Sequence, residues 1–303
     1  MSSAQVQVGR RTLSLSNMEK VLYPAADFTK ADVISYYLKI APYLLPHLKD
    51  RPLTLKRYPN GVNSEFFYEK RCPSHKPDWM TTAYAPSRGK NGRIDYCVVN
   101  EPAALAWVEN LASLELHTLL AKSSNLQQPT MVVFDLDPGP PAEVHEACGV
   151  ALQMRDLFEK LGLKTYVKHY GGKGLHLVIP LNTKVEFDDT KHFARAVAML
   201  FEQNDPKGVT SVMRKDLRGG KVFIDWSQND EHKTTCCVYS LRARERPTVS
   251  APLTWREVEK AHRSGKVQDI RFESDKVVTR AQKMGDLFEP VLTLKQKLPA
   301  TVG

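Results

Sequence analysis

The sequence predicts an α+β fold around a largely antiparallel sheet, and three patterns predict it. The apolar run Met131-Val-Val-Phe-Asp135-Leu-Asp137-Pro-Gly139 reads as a strand that ends in two aspartates. Thr165 to Tyr170 and Leu175 to Leu181 read as two further strands, joined tightly through Gly171-Gly172-Lys173-Gly174. Helical periodicity recurs between these stretches without the regular strand and helix alternation of a parallel sheet.

From the N-terminus, Arg11 to Ser16 is expected as a short strand, followed by a loop from Asn17 to Pro24. Thr29-Lys30-Ala31-Asp32 has the spacing of a capping box, opening a helix with Val33, Tyr36, Tyr37, Ile40, Ala41 and Leu44 on its apolar face. Pro46 should close it. Leu53 to Tyr58 is the next strand, and Asn60-Gly61 marks a turn. Phe66-Phe67-Tyr68 leads into a loop rich in proline and basic residues, and Ala85 to Gly92 should be an exposed connection. Pro102 opens a second helix with Leu105, Val108, Leu111, Ala112 and Leu119 on its apolar side and His117 near its end. Further helices fit Ala142 to Leu161, which Gly162 terminates, and Thr190 to Gln203. Lys221 to Ser227 again alternates apolar residues and presents one carboxylate, Asp225.

With 303 residues, 42% of them hydrophobic, and no break in composition, the chain is expected to form one compact catalytic unit with two lobes. No internal repeat is present. The net charge of +9 suits a polyanionic partner, although basic residues are scattered enough that a diffuse basic surface is the alternative. Five cysteines, odd in number and without a C-x-x-C pattern, point to a reducing compartment and argue against structural zinc or a disulfide framework. There is no run of about 18 apolar residues and no signal-like segment, so a soluble intracellular protein is expected.

The chemistry concentrates in the aspartates. Positions i and i+2 of a strand share a face, so Asp135 and Asp137 project side by side, where adjacent carboxylates repel unless a cation lies between them. A divalent metal and a solvated edge-strand tip are the two readings. Asp225 adds a third carboxylate, and an all-oxygen donor set suits Mg2+ or Mn2+ held together with substrate phosphates better than zinc. Such a site is the architecture of two-metal phosphoryl or nucleotidyl transfer. The glycine-rich turn is either plain structure or a cradle whose exposed amides meet phosphate oxygens, with Lys173 and His176 adding donors.

In order along the chain, these residues resemble the polymerase domain of bacterial ligase D and its stand-alone relatives, within the archaeo-eukaryotic primase superfamily. The blocks that carry the resemblance are Asn17-x-x-Lys20-Val-Leu-Tyr-Pro24, Thr29-Lys30, Arg51-Pro-Leu-Thr-Leu55, Pro73-Ser-His-x-Pro-Asp-Trp79 and Glu115-Leu-His-Thr118. They continue with Phe134-Asp-Leu-Asp-Pro-Gly139, Gly171-Gly-Lys-Gly-Leu-His176, Asp225-Trp-Ser-Gln-Asn229 and Tyr239-Ser-Leu-Arg-Ala-Arg244. Together they cover nearly the whole chain. The resemblance implies a primase-polymerase fold whose central antiparallel sheet carries the acidic site, flanked by helices and a second, smaller lobe. It also implies a single catalytic domain over 1–303, with a DNA-binding segment up to about 50, a core to about 250 and a helical segment beyond.

The implied activity is template-dependent nucleotidyl transfer that fills gaps and extends DNA ends in non-homologous end joining, with a ribonucleotide preference. Asp135, Asp137 and Asp225 match the metal-binding acids, which hold two ions, Mn2+ preferred over Mg2+, with Asp225 nearest the ion at the primer 3'-hydroxyl. His117, Tyr170, Lys173, His176, Gln228 and Arg242 match the nucleotide pocket. On sequence alone a satisfied, structural histidine is the favoured reading of His117, and the resemblance reverses it. Asn17, Lys20 and Lys30 match a pocket for the 5'-phosphate of a downstream strand, where solvated charge is the plain alternative. Phe67 and Tyr68 match an aromatic pair that stacks on template bases, with a buried core pair as the other reading, and Lys215, Arg218 and Lys221 match a mobile basic loop. Relatives usually carry serine where this chain has Tyr170. Implied partners are gapped or 3'-overhanging DNA, nucleoside triphosphates, Ku and an ATP-dependent DNA ligase, with no membrane, in the cytoplasm of a prokaryote and associated with its nucleoid. A primase that starts chains de novo and a non-catalytic end-bridging module are the alternative functions.

Overall fold

The computed structural model describes residues 3–86 and 92–299. The chain divides into two compact units, the first made of Met1–Ser124, Thr234–Ser250 and Glu273–Asp286, the second of Asn125–Lys233, Ala251–Phe272 and Leu287–Gly303. Each is built on its own six-stranded sheet, so the lobe expected to be smaller carries as large a sheet as its counterpart. Among the described residues no helix is long and apolar enough to cross a membrane.

In the first unit the strands run in the order Thr234–Cys236, Ser113–Leu119, Leu53–Arg57, Arg93–Cys97 and Thr82–Pro86, with Phe67–Glu69 also paired to Leu53–Arg57. The expected capping box is present, Thr29 and Asp32 exchanging hydrogen bonds at the start of the helix Lys30–Leu48. This helix buries Val33, Tyr36, Tyr37, Ile40, Ala41 and Leu44. It does not stop at Pro46. Both Pro42 and Pro46 lie inside it, and the last turn continues because Leu48 is buried and His47 Nε2 meets Asp286 Oδ2 at 2.7 Å. The N-terminal strand Arg11–Ser16 pairs with Ser3–Val8, a partner the sequence reading did not assign.

Two further expectations are corrected here. The helix from Pro102 ends at Asn110, and His117 sits on the strand Ser113–Leu119. Ala112 adopts a left-handed backbone (φ 57°), which stops the helix without the usual glycine. Cys72 and Cys97 form a disulfide, their Cα atoms 4.8 Å apart. The odd cysteine count hid a pair made by Cys97, at the end of Arg93–Cys97, and Cys72, in the loop after Phe67–Glu69, and Cys148, Cys236 and Cys237 are buried outside this bond. Ala85 and Pro86 belong to a strand, and the rest of the expected connection, apart from Gly92, lies outside the described residues.

The second unit's sheet has the order Val209–Thr210, Val222–Asp225, Met131–Pro138, Leu175–Pro180, Tyr166–His169 and Ala251–Leu253. All pairings are antiparallel except that between the first two strands. The helices Val144–Lys160 and Phe187–Asn204 supply the core, with Gly162 (φ 73°) just past the end of the first. Strand period two sorts the residues cleanly. Val132, Phe134, Leu136, Leu175, Leu177, Ile179, Val222 and Ile224 face this core, where the Phe158 ring lies between Phe134 and Phe193. The other face therefore receives Asp135, Asp137, His176 and Asp225.

The glycine-rich turn is tied to the sheet at Gly174, where a Cβ would collide with the Leu136 carbonyl oxygen. Replacing Gly174 with alanine is expected to cost about 2 to 3 kcal/mol, read as a lower urea midpoint. An unchanged midpoint would show that the turn yields freely.

Candidate active site

Register places the acids as neighbours. Asp135 pairs directly with Asp225 across two strands, and Asp137 lies two residues further along the same face. Like charges directly opposite one another destabilise a sheet, so the arrangement is costly without a counter-charge. Burial, and then the adjacent Asp135 charge, pushes the Asp137 carboxyl up from its ordinary range. Several donors answer these oxygens. Tyr170 donates its hydroxyl to Asp137 Oδ1 at 2.6 Å, and His176 Nε2 lies 3.4 Å from Asp135 Oδ1. Asp225 accepts from the Ser227 backbone at 2.9 Å and from Gln228 Nε2 at 2.8 Å.

Three carboxylates on adjacent strands fit a hard divalent cation by donor chemistry. As the side chains stand, no group of three His, Cys, Asp or Glu residues is disposed to hold a metal ion among the described residues. Asp225 and Asp137 accept from Gln228, Ser227 and Tyr170, while the strands place the carboxylates on one face.

Tyr170 fills a defined place. It is 6% exposed, and its ring stacks on His169 at 6.2 Å and meets His176 at 5.2 Å. Burial, followed by the Asp137 and Asp135 charges, raises its phenol far above the usual range, which keeps it a donor. Lys173 donates to the Pro138 carbonyl at 3.0 Å, joining the glycine-rich turn to the end of the acidic strand. The 215–221 segment docks there too. Gly139 N–H donates to the Lys221 carbonyl at 2.8 Å, and a side chain at Gly139 would strike the Arg218 carbonyl, which explains a glycine after the Asp-x-Asp-Pro sequence. Arg218 stacks on Phe223 at 3.6 Å, Lys221 Nζ donates to the Pro206 carbonyl at 2.7 Å, and Lys215 opens a 3-10 turn. Lys168, which the sequence reading passed over, is buried on the acidic face in register with His176.

In the first unit His117 and Arg242 meet through a carboxylate that the sequence reading did not single out. Glu115 Oε2 lies 2.9 Å from His117 Nε2 and 3.4 Å from Arg242 Nε, and Lys56 Nζ approaches Oε1 at 3.6 Å. Burial alone would raise the Glu115 carboxyl, but the His117 hydrogen bond and the Arg242 and Lys56 charges outweigh it and hold the group well below the usual carboxylate range. Burial lowers His117, and the Glu115 contact offsets this only in part. A Glu-x-His pair on one strand face was the available signal.

The N-terminal residues also converge. Lys30 is 4% exposed and donates from Nζ to the Ser16 carbonyl at 2.7 Å, while its backbone N–H donates to the Lys20 carbonyl at 2.8 Å. Asn17 has a left-handed backbone (φ 53°) and accepts from Lys20 N–H, and Lys20 Nζ reaches Asn60 Oδ1 at 2.8 Å. Burial, then the charges of Lys20 and of Arg57, lowers Lys30 to about 8. Two neighbouring cations thus oppose its charge. Phe67 and Tyr68 are 44% and 56% exposed, so the buried-pair reading falls. Tyr68, with Tyr58 and Phe66, surrounds Lys56, whose Nζ stands 4.1 Å from the Phe66 ring centre, while Phe67 lies against the Arg57 guanidinium at 5.1 Å.

A family model for the LigD primase-polymerase domain matches residues 29–288. The chain belongs to that family. It is 43% identical over 279 residues to the multifunctional non-homologous end joining protein LigD of Mycolicibacterium smegmatis, covering 91% of this chain and 36% of that protein. To the bifunctional LigD of Bacillus subtilis it is 31% identical over 277 residues, 91% of this chain and 43% of the relative. The chain thus spans well under half the length of these relatives. Among solved structures, the polymerase domain of Mycobacterium tuberculosis ligase D in complex with DNA matches with a TM-score of 0.86 at 39% identity, over 94% of this chain and 99% of that one. The mixed α+β architecture read from the sequence is therefore that of the LigD polymerase domain.

Proposed function

We propose that the chain is a template-dependent nucleotidyltransferase that fills gaps and extends DNA ends in double-strand break repair by non-homologous end joining, acting as one primase-polymerase domain. The observation that carries this is the cross-strand register of Asp135 and Asp225 with Asp137 beside them, in a chain of the LigD polymerase family. Two divalent ions held by these acids, Mn2+ in preference to Mg2+, would lower the pKa of a primer 3'-hydroxyl and neutralise the leaving pyrophosphate. His176, Lys173, Gln228 and Tyr170 support the acids and meet substrate oxygens, while His117 and Arg242 recognise the nucleotide, ribonucleotides preferred. Exposed Phe67 and Tyr68 offer faces for base stacking on the template strand, and the basic 215–221 segment backs the acidic strand. Gapped or overhanging DNA is the substrate, with Ku and an ATP-dependent DNA ligase as partners in the same repair.

The 5'-phosphate of the downstream strand is assigned to Asn17, Lys20 and Lys30. Bound phosphate favours charged Lys30, whose pKa in the free protein is about 8, so affinity for a 5'-phosphorylated gap is expected to fall as pH rises past that value. A 5'-hydroxyl gap should show no such inflection. Stability moves the other way: the depressed pKa destabilises the fold below about 8, and the loss is recovered between there and the unfolded value of 10.5. Binding titrations across this range, at fixed salt, check the first expectation, and urea midpoints over the same range check the second.

The function itself is tested by incorporation of labelled nucleotide opposite each template base in a gapped duplex, beside a reaction without primer. Template-dictated addition only with primer supports the proposal. Primer-independent dinucleotide synthesis would indicate a primase, and binding without incorporation an end-bridging module.

A further inference from the structure

Glu115 is 1% exposed, yet its two oxygens are the meeting point of four groups. His117 and Arg242 approach Oε2, Lys56 approaches Oε1, and the Ala243 backbone N–H donates to Oε1 at 3.0 Å. Glu115 and His117 are two residues apart on Ser113–Leu119, so they share a face. Arg242 and Ala243 lie on Leu241–Ala243, a three-residue strand held by its pairing with Pro247–Val249. One carboxylate therefore grips a neighbouring imidazole on its own strand and both the side chain and the backbone of a second, short strand.

An ionised carboxylate can only accept, so the nitrogen of His117 that faces it must carry the proton. This fixes the ring as its Nε2–H tautomer and leaves Nδ1 as the nitrogen with a lone pair. A lone pair recognises a hydroxyl or amino donor and not a phosphate oxygen. The surplus of cations around a single carboxylate keeps the cluster positive, which suits an anionic ligand.

We infer that Glu115 is the positioning residue of the nucleotide pocket: it sets the tautomer and orientation of His117, so that Nδ1 accepts from a nucleotide hydroxyl, and holds Arg242 in register beside it. This rests on the assignment of His117 and Arg242 to nucleotide binding. Glu115 itself touches no substrate.

The test uses the full chain with Glu115→Gln, Glu115→Asp, His117→Ala, Arg242→Ala and the Glu115→Gln/His117→Ala double variant. Steady-state constants for ATP are measured on gapped DNA, with DNA affinity, melting temperature and 15N signals of the histidine rings. Glu115→Gln is expected to raise the KM for ATP roughly tenfold or more, with a smaller change in kcat and unchanged DNA affinity, as loss of an orienting partner does. The His117 signals should shift from one tautomer to a mixture, and the double variant should lose little beyond His117→Ala. If Glu115→Gln folds poorly, Glu115→Asp keeps the charge but shortens the reach, and an intermediate KM supports the inference. Unchanged KM and an unchanged tautomer in the Glu115 variants, while His117→Ala and Arg242→Ala raise KM, would overturn the positioning role alone. If His117→Ala and Arg242→Ala leave KM unchanged, the assignment of the pocket fails and this inference falls with it.

Discussion

Replacing Asp137 with alanine is expected to abolish nucleotide incorporation while DNA binding is largely retained. The carboxylate lies on the acidic face beside Asp135 and the paired Asp225, and on the proposed mechanism its loss would remove a ligand and a negative charge from the site for divalent ions. Metal stabilisation of transition-state charge is worth several kcal/mol, which at 1.36 kcal/mol per tenfold is about a thousandfold or more in rate. Asp135→Ala should behave alike. Relief of the repulsion between adjacent carboxylates should leave the fold intact, so a lost rate beside an unchanged melting temperature is the pattern to look for. Near wild-type incorporation by Asp137→Ala in Mn2+ would remove the acids from the mechanism.

Binding of a 5'-phosphorylated gap should weaken about 10-fold to 100-fold in Lys20→Ala, since a charge-assisted contact is worth roughly 1.5 to 3 kcal/mol. Lys20 is the cleaner probe. Its exposed side chain makes a hydrogen bond to Asn60, whereas buried Lys30 also donates to the Ser16 carbonyl, so Lys30→Ala removes an internal contact as well. On this proposal the N-terminal dipole of the helix that begins at Lys30 would favour the same phosphate. The matched 5'-hydroxyl gap should bind weakly and change little. Titrations must hold salt constant, because phosphate contacts are strongly salt-dependent. Equal losses on the two substrates would reduce these lysines to nonspecific charge.

What could be read in the sequence was what depends on local periodicity. The acidic strand, the hairpin through Gly171 to Gly174, the capping box at Thr29 and the helices of the second unit all follow from patterns a few residues long, and the structure has them. The segment after Pro102 shows the limit. Its apolar residues fit a helical spacing through Leu119, and only the left-handed Ala112, which carries no glycine to mark it, turns the chain into a strand. Long-range partners were equally hidden. The Cys72–Cys97 bond depends on a loop, tied to the strand Arg93–Cys97 by the Cys72 N–H to the Asp95 carbonyl, and Pro46 is carried within its helix because His47 and Leu48 find distant or buried contacts.

The candidate site divides along the same line. Three aspartates on neighbouring strands were legible because strand period two fixes their face, and register then made Asp135 and Asp225 direct partners. The part played by Glu115 was not, since its neighbours Lys56 and Arg242 are far from it in sequence. Tyr170 stood out as a departure from the family's serine, but only the fold shows its hydroxyl on Asp137.

The most direct measurement is Mn2+ binding by electron paramagnetic resonance in the presence of gapped DNA and a non-hydrolysable nucleotide, run beside incorporation rates over the same metal range. Two ions per chain are expected, with a rate that saturates with the second, and loss of both binding and rate in Asp135→Ala, Asp137→Ala and Asp225→Ala. Incorporation that persists in chelator, or metal binding and rate that survive in all three variants, would contradict the two-metal mechanism.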